Sequence, residues 1–287
     1  MTMDKVAIVT DSICCIPREM VESYGIEIVA PNIYFDGRVY RDWIDIAPAE
    51  AYELLDSDPD LFTTSGPPPE AFVDAFRKVS KRAASVLCIT LSSKVSTVHS
   101  AALAAKEEAK DELVNTNIVV LDSQTCTGAE GFVVLAGARA VAEGKGLIEA
   151  VKAAEDMRGK VDLVFVLETI RHAYRTGRVP RLVSQVGTLL SVKPVLAWQN
   201  GVAHFRGVTR SKEKGIDQLL ETMHRSVGDK PVHVAVHHAG ALEEGRKLKQ
   251  RVESEFDCAE LWLTEFSPIM GYSTGRGTLG LAYYVEG

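Results

Sequence analysis

Short apolar runs alternate with amphipathic segments over the first half of the chain. The apolar runs predict strands at residues 6–10, 26–31, 33–35, 86–91 and 117–121. The amphipathic segments predict helices at residues 17–24, 48–55, 71–80, 98–109, 128–142 and 147–157. Asp36 and Gly37, between β-forming residues, predict a short hairpin. Continuous apolar strands that alternate with helices are typical of a doubly wound parallel sheet.

The second half keeps this alternation but adds a second hairpin signal. Its apolar runs predict strands at residues 161–167, 193–198, 202–208, 232–236, 260–266 and 278–284, and its helical segments lie at 212–226 and 242–256. Asn200 and Gly201, between two of these runs, are a strong signal for a two-residue turn, which joins antiparallel strands. We therefore expect an α/β unit with a mixed sheet.

The length of the chain favours two domains. A single core stops growing near roughly 250–300 residues, and this chain has 287. The parallel pattern changes to a mixed one near residue 158. We therefore predict an N-terminal α/β/α domain with a parallel sheet at residues 1–158 and a C-terminal α/β domain with a mixed sheet at residues 159–287.

Hydroxyl side chains recur where a predicted strand gives way to a helix. They stand within residues 10–12, 63–65, 92–97 and 122–123. The carboxyl ends of parallel strands meet at one edge of a sheet, and the backbone N–H groups of helix amino termini there favour an anion. Ser and Thr before a helix also act as N-caps, because they satisfy its unpaired N–H groups. The sequence leaves both interpretations open.

The composition and net charge of the chain argue against some classes of binding partner. The chain is 46% hydrophobic and 25% charged, with a net charge of −7 and no basic block. Nucleic acid and anionic membrane surfaces are not expected as main partners, because both require clustered Lys and Arg. The apolar run at the amino terminus is too short for a signal peptide, and no apolar segment reaches the roughly 18 residues of a spanning helix. We expect a cytoplasmic protein without stable membrane insertion.

Neither the cysteines nor the histidines show the spacing of a metal site. The five cysteines are an odd number without CxxC spacing, which favours buried free thiols over disulfides or zinc. The vicinal pair Cys14 and Cys15 has no third ligand nearby in the sequence. His233 and His237 would face one side of a strand with His238 beside them, but no acidic residue stands in that run. We expect no metal and no cofactor.

Two enzyme classes compete with a binding function. Residues 271–275 match the G-x-S-x-G pattern of a serine hydrolase, but all seven histidines precede Ser273, whereas the nucleophile elbow needs its histidine after the serine. The chain has no G-x-x-x-x-G-K-[ST] loop and no evident pair of acids for Mg²⁺. A phosphoryl-transfer or phosphate-ester-binding enzyme stays the alternative, because hydroxyl loops at helix starts bind phosphate as well as carboxylate.

The order and spacing of these motifs resemble the DegV family of bacterial fatty-acid-binding proteins over nearly the whole chain. The matching motifs lie at residues 9–12, 63–67, 91–96, 121–123, 176–178, 192–194, 210 with 214, and 271–277. The resemblance implies two α/β domains that clasp one long-chain fatty acid, with the acyl chain in a tunnel between them. It also implies a non-catalytic carrier, which in some members presents the acid to a fatty-acid kinase.

The resemblance also implies the ligand contacts. Thr64 and Ser65 match the Thr–Ser motif of the family, and Ser92 and Ser93 match its Ser–Ser motif. Thr64 and Ser93 are the expected direct donors to the carboxylate. The other expected contacts are Ser273 and Thr274 in the terminal motif and, for the head group or a partner protein, Arg178, Arg210 and Arg276.

The chain departs from the family pattern at several of these motifs. The family usually has Gln where Gly66 stands, and Gly–Thr–Tyr at residues 97–99, where this chain has Thr–Val–His. It also usually has His at Ser273 and Pro at Arg276. The missing histidine removes one expected head-group contact. We consider a charge-assisted contact from Arg276 as compensation, beside the simpler case of a solvated arginine.

Overall fold

The first half of the chain contains every strand and helix that the sequence predicts for it. The computed structural model describes residues 5–178 and 192–286. In the first half the elements are β1 (Val6–Asp11), α1 (Arg18–Tyr24), β2 (Glu27–Val29), β3 (Asn32–Phe35), β4 (Arg38–Arg41), α2 (Pro48–Ser57), β5 (Thr63–Ser65), α3 (Pro69–Ser80), β6 (Ser85–Thr90), α4 (Val98–Ala109), β7 (Asn117–Asp122), α5 (Thr127–Ala142) and α6 (Leu147–Arg158), with a 3₁₀ turn at Ser12–Cys14.

The larger sheet of this half is parallel. Its four strands follow the order β2-β1-β6-β7. All residues of β1 and β6 are buried, because α3 and α4 pack together on this sheet and α5 and α6 do so as well. Strands covered on both faces need no polar side, which explains their continuous apolar runs. The predicted doubly wound parallel sheet is confirmed.

A separate small sheet carries Thr64. Its strands are antiparallel in the order β4-β3-β5. The predicted hairpin is present, and its turn residues Asp36 and Gly37 have φ of 47° and 72°, as a two-residue turn with both φ values positive requires. β5 pairs Thr64 with Ile33, so the Thr–Ser motif lies on a strand.

The second half forms one mixed sheet. Its elements are β8 (Asp162–Val166), α7 (Arg171–Thr176), β9 (Lys193–Gln199), β10 (Val202–Thr209), α8 (Lys212–Val227), β11 (Val232–His238), α9 (Leu242–Glu255), β12 (Cys258–Glu265), α10 (Pro268–Thr274) and β13 (Leu279–Val285). The strand order is β10-β9-β8-β13-β11-β12, with β11 and β12 parallel and the other neighbours antiparallel. The mixed sheet and the hairpin at Asn200 and Gly201 are confirmed.

Two short helices of this half, α7 and α10, have no counterpart in the sequence prediction. The glycine-rich segment around Gly271 begins at an N-cap and packs against the first half of the chain. The Ser267 hydroxyl accepts the N–H of Ile269 at 3.2 Å, and the backbone of Gly271 packs against the ring of Tyr52, where a β-carbon would collide. Across the described residues, no helix is both long enough and apolar enough to cross a membrane.

The two larger sheets lie on either side of residue 158 in the sequence. Buried side chains of both sheets, such as Ile89 and Phe165, belong to one continuous apolar cluster. The core therefore runs across the junction between the halves. The division into domains at residues 1–158 and 159–287 stays a prediction.

Candidate ligand-binding cavity

A cavity of about 570 Å³ lies between the two halves of the chain. Its apolar lining comes from both halves and includes Ile13, Leu91, Val98, Phe165, Leu167 and Leu196. None of these six side chains is more than 4% exposed. The volume falls in the range of small-molecule sites, which are mostly apolar with a few polar groups that orient the ligand.

Eight further lining residues carry a polar side chain, seven with a hydroxyl and one with a guanidinium. We call these residues the polar lining: Thr64, Ser65, Ser93, Ser96, Thr97, Arg178, Ser273 and Thr274. Ser65, Ser93, Thr97 and Arg178 are exposed, whereas the six apolar side chains named above are buried. The cavity is therefore amphipathic, with an apolar interior and a polar side that solvent reaches.

The loop between β6 and α4 supplies Ser93, Ser96 and Thr97 to the cavity, and Asp11 anchors its start. The Asp11 carboxylate accepts the backbone N–H of Ile13 at 3.0 Å and that of Leu91 at 2.9 Å. Burial raises the pKa of Asp11 to about 6, although these two N–H donors act to lower it. The ends of β1 and β6 are thereby tied together at the carboxyl edge of the parallel sheet, where α/β proteins place ligands.

Ser93 lies on the cavity, but its hydroxyl already has an acceptor. The Ser93 Oγ donates to Asp122 Oδ2 at 2.6 Å, and the Ser93 N–H donates to Asp122 Oδ1 at 3.3 Å. Asp122 ends β7, the strand next to β6. The Ser–Ser loop is thus held to the neighbouring strand end by a carboxylate of the protein itself.

Three of the predicted site residues lie away from the cavity lining. Ser92 is buried, and its Oγ donates to the carbonyl of Gly201 at 2.8 Å. Arg276 pairs with Asp56 at 2.7 Å, and its Nε donates to the Gly240 carbonyl at 3.1 Å. Arg210 is exposed between β10 and α8. Their ligand-contact roles therefore have no support from the geometry of this cavity.

Several lining residues were not singled out as ligand contacts from the sequence. Ser96 and Thr97 were noted only as hydroxyls in front of a helix. Trp198 lines the cavity while its Nε1 donates to the Gln124 carbonyl at 2.9 Å, and Met270 comes from α10. No sequence signal marks Trp198 or Met270, because apolar residues that line a cavity look like those that fill a core.

The structure places the histidines of β11 in separate environments. His233 contacts Glu260 at 2.9 Å and Glu286 at 3.2 Å. His237 is buried and stacks on Phe266, and burial lowers its pKa to about 3. Within residues 5–178 and 192–286, no group of three or more His, Cys, Asp and Glu side chains is arranged to hold a metal ion.

The G-x-S-x-G segment does not form a nucleophile elbow. Ser273 lies inside the seven-residue helix α10, whereas an elbow places its serine on a tight turn between a strand and a helix. All five cysteines are free thiols; four of them are buried as predicted, whereas Cys258 is half-buried. Burial raises the pKa values of Cys14 and Cys15 well above the ordinary range of a thiol, which keeps both thiols protonated and poorly nucleophilic.

Solved structures with this fold include several proteins described as fatty-acid binding. A DegV family protein from Thermus thermophilus, described by its fatty-acid binding, superposes with a TM-score of 0.90 at 27% identity, over 98% of this chain and 100% of that one. DegV from Bacillus subtilis, described as a fatty-acid-binding protein, gives 0.89 at 28% identity, over 99% and 100%. A stearic-acid-binding protein from Eubacterium ventriosum gives 0.90 at 25% identity, over 99% and 98%.

Sequence comparison also finds DegV proteins. A DegV domain-containing protein from Clostridium perfringens is 30% identical over 282 residues, which cover 98% of this chain and 99% of that protein. The DegV protein of Bacillus subtilis is 30% identical over 281 residues, which cover 97% and 98%. A family model described as an uncharacterised protein of the DegV family matches residues 5–286. The chain therefore belongs to the DegV family.

Proposed function

We propose that this protein binds one long-chain fatty acid, with the acyl chain among the apolar lining and the carboxylate at the polar lining. The observation that carries the proposal is the amphipathic cavity, in which buried apolar side chains and exposed hydroxyls line one space of about 570 Å³. The fatty-acid binding ascribed to three solved relatives supports it. Among the predicted contacts on the polar lining, Thr64 and Ser273 donate no hydroxyl hydrogen bond to a described residue, and Arg178 is exposed.

The acyl chain and the carboxylate contribute unequally to the binding free energy. Burying a sixteen-carbon chain at about 0.8 kcal/mol per CH₂ contributes roughly 12 kcal/mol before the ordering costs of binding. Each charge-assisted hydrogen bond to the carboxylate adds about 1.5–3 kcal/mol. The tail therefore supplies most of the affinity, and the hydroxyls fix which end of the ligand faces solvent.

A carrier role follows from this orientation. Ser65, Ser93, Thr97 and Arg178 are exposed, so a carboxyl group held among them is within reach of a second protein. Neutral hydroxyl donors hold a charged acid most strongly, but they also tolerate an ester or an acyl phosphate, since they impose no fixed charge. The protein would therefore present its cargo to an enzyme that modifies the carboxyl group, such as a fatty-acid kinase, and perform no chemistry itself.

The first test asks what the purified protein contains. We expect organic extraction of the denatured protein to release close to one fatty acid per chain, identified by mass spectrometry. The delipidated protein should bind a long-chain fatty acid and should not bind a short phosphate ester, because only the long chain fills the apolar lining. An empty extract, together with binding of the phosphate ester alone, would instead support the phosphate-ester alternative.

A further inference from the structure

We infer that Thr97 is a direct donor to the ligand carboxylate and that Gly66 provides the space for its side chain. The inference rests on the proposed function, since it names a residue that recognises the head group in the same cavity. Four observations carry it: the hydrogen bonds of the polar lining, the geometry at the start of α4, the contact between Thr97 and Gly66, and the position of Thr97 on the cavity.

Some hydroxyl groups of the polar lining already donate their proton to a protein acceptor, and others, within the described residues, are free to donate to a ligand. A hydroxyl has one proton to donate, and three residues of the polar lining have used theirs. Ser65 Oγ donates to the Gly66 carbonyl at 3.0 Å, Thr274 Oγ1 to the Met270 carbonyl at 3.0 Å, and Ser93 Oγ to Asp122 at 2.6 Å. A carboxylate accepts hydrogen bonds and donates none, so these three hydroxyls would have to break an existing bond to hold it.

The remaining hydroxyls of the polar lining are Thr64, Ser96, Thr97 and Ser273. Among the described residues, none of these four donates its hydroxyl proton to another protein group. Ser96 Oγ accepts the N–H of Val98 at 3.3 Å, which uses a lone pair and leaves its proton available. The donors available to a carboxylate therefore differ from the Thr64 and Ser93 pair that the family resemblance implies.

Thr97 occupies the N-cap position of α4, but its side chain makes no capping hydrogen bond. Its backbone has φ −87° and ψ 0°, and its side chain accepts no hydrogen bond from the first turn of the helix. An N-cap residue whose side chain bonds the helix normally has extended backbone angles. Capping, the competing interpretation of a hydroxyl at this position, therefore does not describe Thr97.

Gly66 leaves the space that the Thr97 hydroxyl occupies. A β-carbon at position 66 would lie 2.8 Å from Thr97 Oγ1, closer than such atoms approach in proteins. The Thr97 hydroxyl therefore occupies the space beside the 64–66 segment that a side chain at 66 would fill. Both residues line the cavity with Thr64, so hydroxyls from β5 and from the start of α4 converge on one region.

The test compares Thr97→Val with matched variants after wild-type binding has been established. Thr97→Val keeps the shape of the side chain and removes the donor. We expect delipidated Thr97→Val to bind a long-chain fatty acid roughly ten- to a hundredfold more weakly and to lose much less affinity for the methyl ester of that acid, because a hydrogen bond to a neutral acceptor is weaker. Ser100→Ala, at an exposed position of α4 away from the cavity lining, should bind both ligands normally, and Thr97→Ser should retain acid binding.

A second readout reports on the bound carboxyl group itself. With a fatty acid labelled with ¹³C at the carboxyl carbon, the pKa of the bound acid should be higher in Thr97→Val than in the wild type, because a donor to the carboxylate has been lost. Gly66→Ala should weaken acid binding in the same direction, because its β-carbon displaces the Thr97 hydroxyl.

Four outcomes distinguish a failure of this inference from a failure of the proposed function. Unchanged acid affinity in Thr97→Val would overturn the inference, and so would an equal loss of acid and ester, which would indicate a structural role. An acid-selective loss in Ser93→Ala, with ester binding kept, that exceeds the loss in Thr97→Val would also overturn it. If the wild type binds no fatty acid at all, the proposed function fails before Thr97 is tested.

Discussion

His237 is a buried base that makes no hydrogen bond to any described residue. Burial lowers its pKa to about 3, whereas an unfolded histidine titrates near about 6.5. The folded state thus favours the neutral ring, so this contribution to stability is present above about pH 6.5 and is lost as the pH falls toward the folded pKa. Asp11 and Asp42 oppose it, because burial raises the pKa of each to about 6, and their contribution is lost as the pH rises from about 4 to 6.

We therefore expect His237→Leu to change the slope of stability against pH. Between pH 6 and 4 the wild type should lose up to about 1.4 kcal/mol per pH unit from this one histidine, and the variant should lose none of that amount. The difference between the two proteins in urea unfolding at several pH values cancels the opposing aspartates. Parallel profiles would mean that His237 is not the buried neutral base described here.

At the residue scale, the sequence shows which hydroxyls stand near strand ends but not which protons are available. Ser92 and Ser93 are adjacent and chemically identical in the sequence. In the structure one donates to Gly201 and the other to Asp122, residues 109 and 29 positions away. Donor type is a property of the residue, whereas the partner depends on the tertiary fold, so the choice among Ser93, Ser96 and Thr97 required the structure.

The β9–β10 hairpin is the element that joins the second half to the hydroxyl loops of the first. Ser92 Oγ and Lys94 Nζ each donate at 2.8 Å to the turn, to the carbonyls of Gly201 and Asn200. Trp198, just before the turn, donates to the Gln124 carbonyl at 2.9 Å. The turn itself follows from its Asn–Gly sequence, but its contacts with loops more than 70 residues earlier do not.

We expect Gly201→Ala to destabilise the protein and weaken fatty-acid binding. Gly201 has φ 83°, and a β-carbon there would lie 2.9 Å from Ser92 Oγ. Gly37→Ala is the matched control, because Gly37 sits in the other two-residue turn with φ 72° and has no neighbour within 4 Å of the added carbon. Both variants should lose about 1–3 kcal/mol of unfolding free energy from backbone strain.

The two glycine variants should differ in stability and in fatty-acid affinity, although both introduce backbone strain. Gly201→Ala should lose more stability than Gly37→Ala, because it also disturbs the Ser92 loop, and it alone should lower the affinity for a fatty acid. Chemical denaturation and ligand titration of the two variants measure both quantities. Equal losses of stability with unchanged affinity would show that the hairpin contacts do not position the loop.

Short helices mark the limit of prediction at the element scale. The long periodic helices and buried strands follow from the sequence, because periodicity and apolar runs are strong over many residues. α10 has seven residues and contains Gly271, a poor helix former. Gly271 packs against Tyr52, which lies more than 200 positions away in the sequence, and no sequence pattern indicates this contact. Ile269, Met270 and Ser273 of this helix line the cavity.

At the scale of the whole molecule, the sequence pattern alone could not predict which apolar residues line the cavity. Residues such as Phe165 and Leu196 are as apolar and as buried as the rest of the core. Whether such a side chain fills a core or lines a void depends on how the two halves meet. The family resemblance implied a tunnel between them, and the structure has a cavity lined from both halves.

Because the cavity lies between the halves, a bound acyl chain should stabilise the entire fold. A ligand that binds only the folded state raises stability in proportion to RT ln(1 + [L]/Kd). Each additional buried methylene should strengthen binding roughly fourfold. We therefore expect the melting temperature of the delipidated protein to rise with chain length across a series of saturated fatty acids at one concentration, until the chain fills the cavity.

A dicarboxylic acid is the control for this series, because its second carboxylate would have to enter the buried apolar lining around Phe165 and Leu196. Burying an unpaired charge there is strongly unfavourable, so a dicarboxylic acid of optimal length should raise the melting temperature far less than the matching monocarboxylic acid. Thr97→Val should reduce the shift for every acid while leaving its dependence on chain length intact, since head and tail contact separate parts of the cavity. Equal shifts for mono- and dicarboxylic acids, or shifts independent of length, would mean that the acyl chain stays outside the cavity.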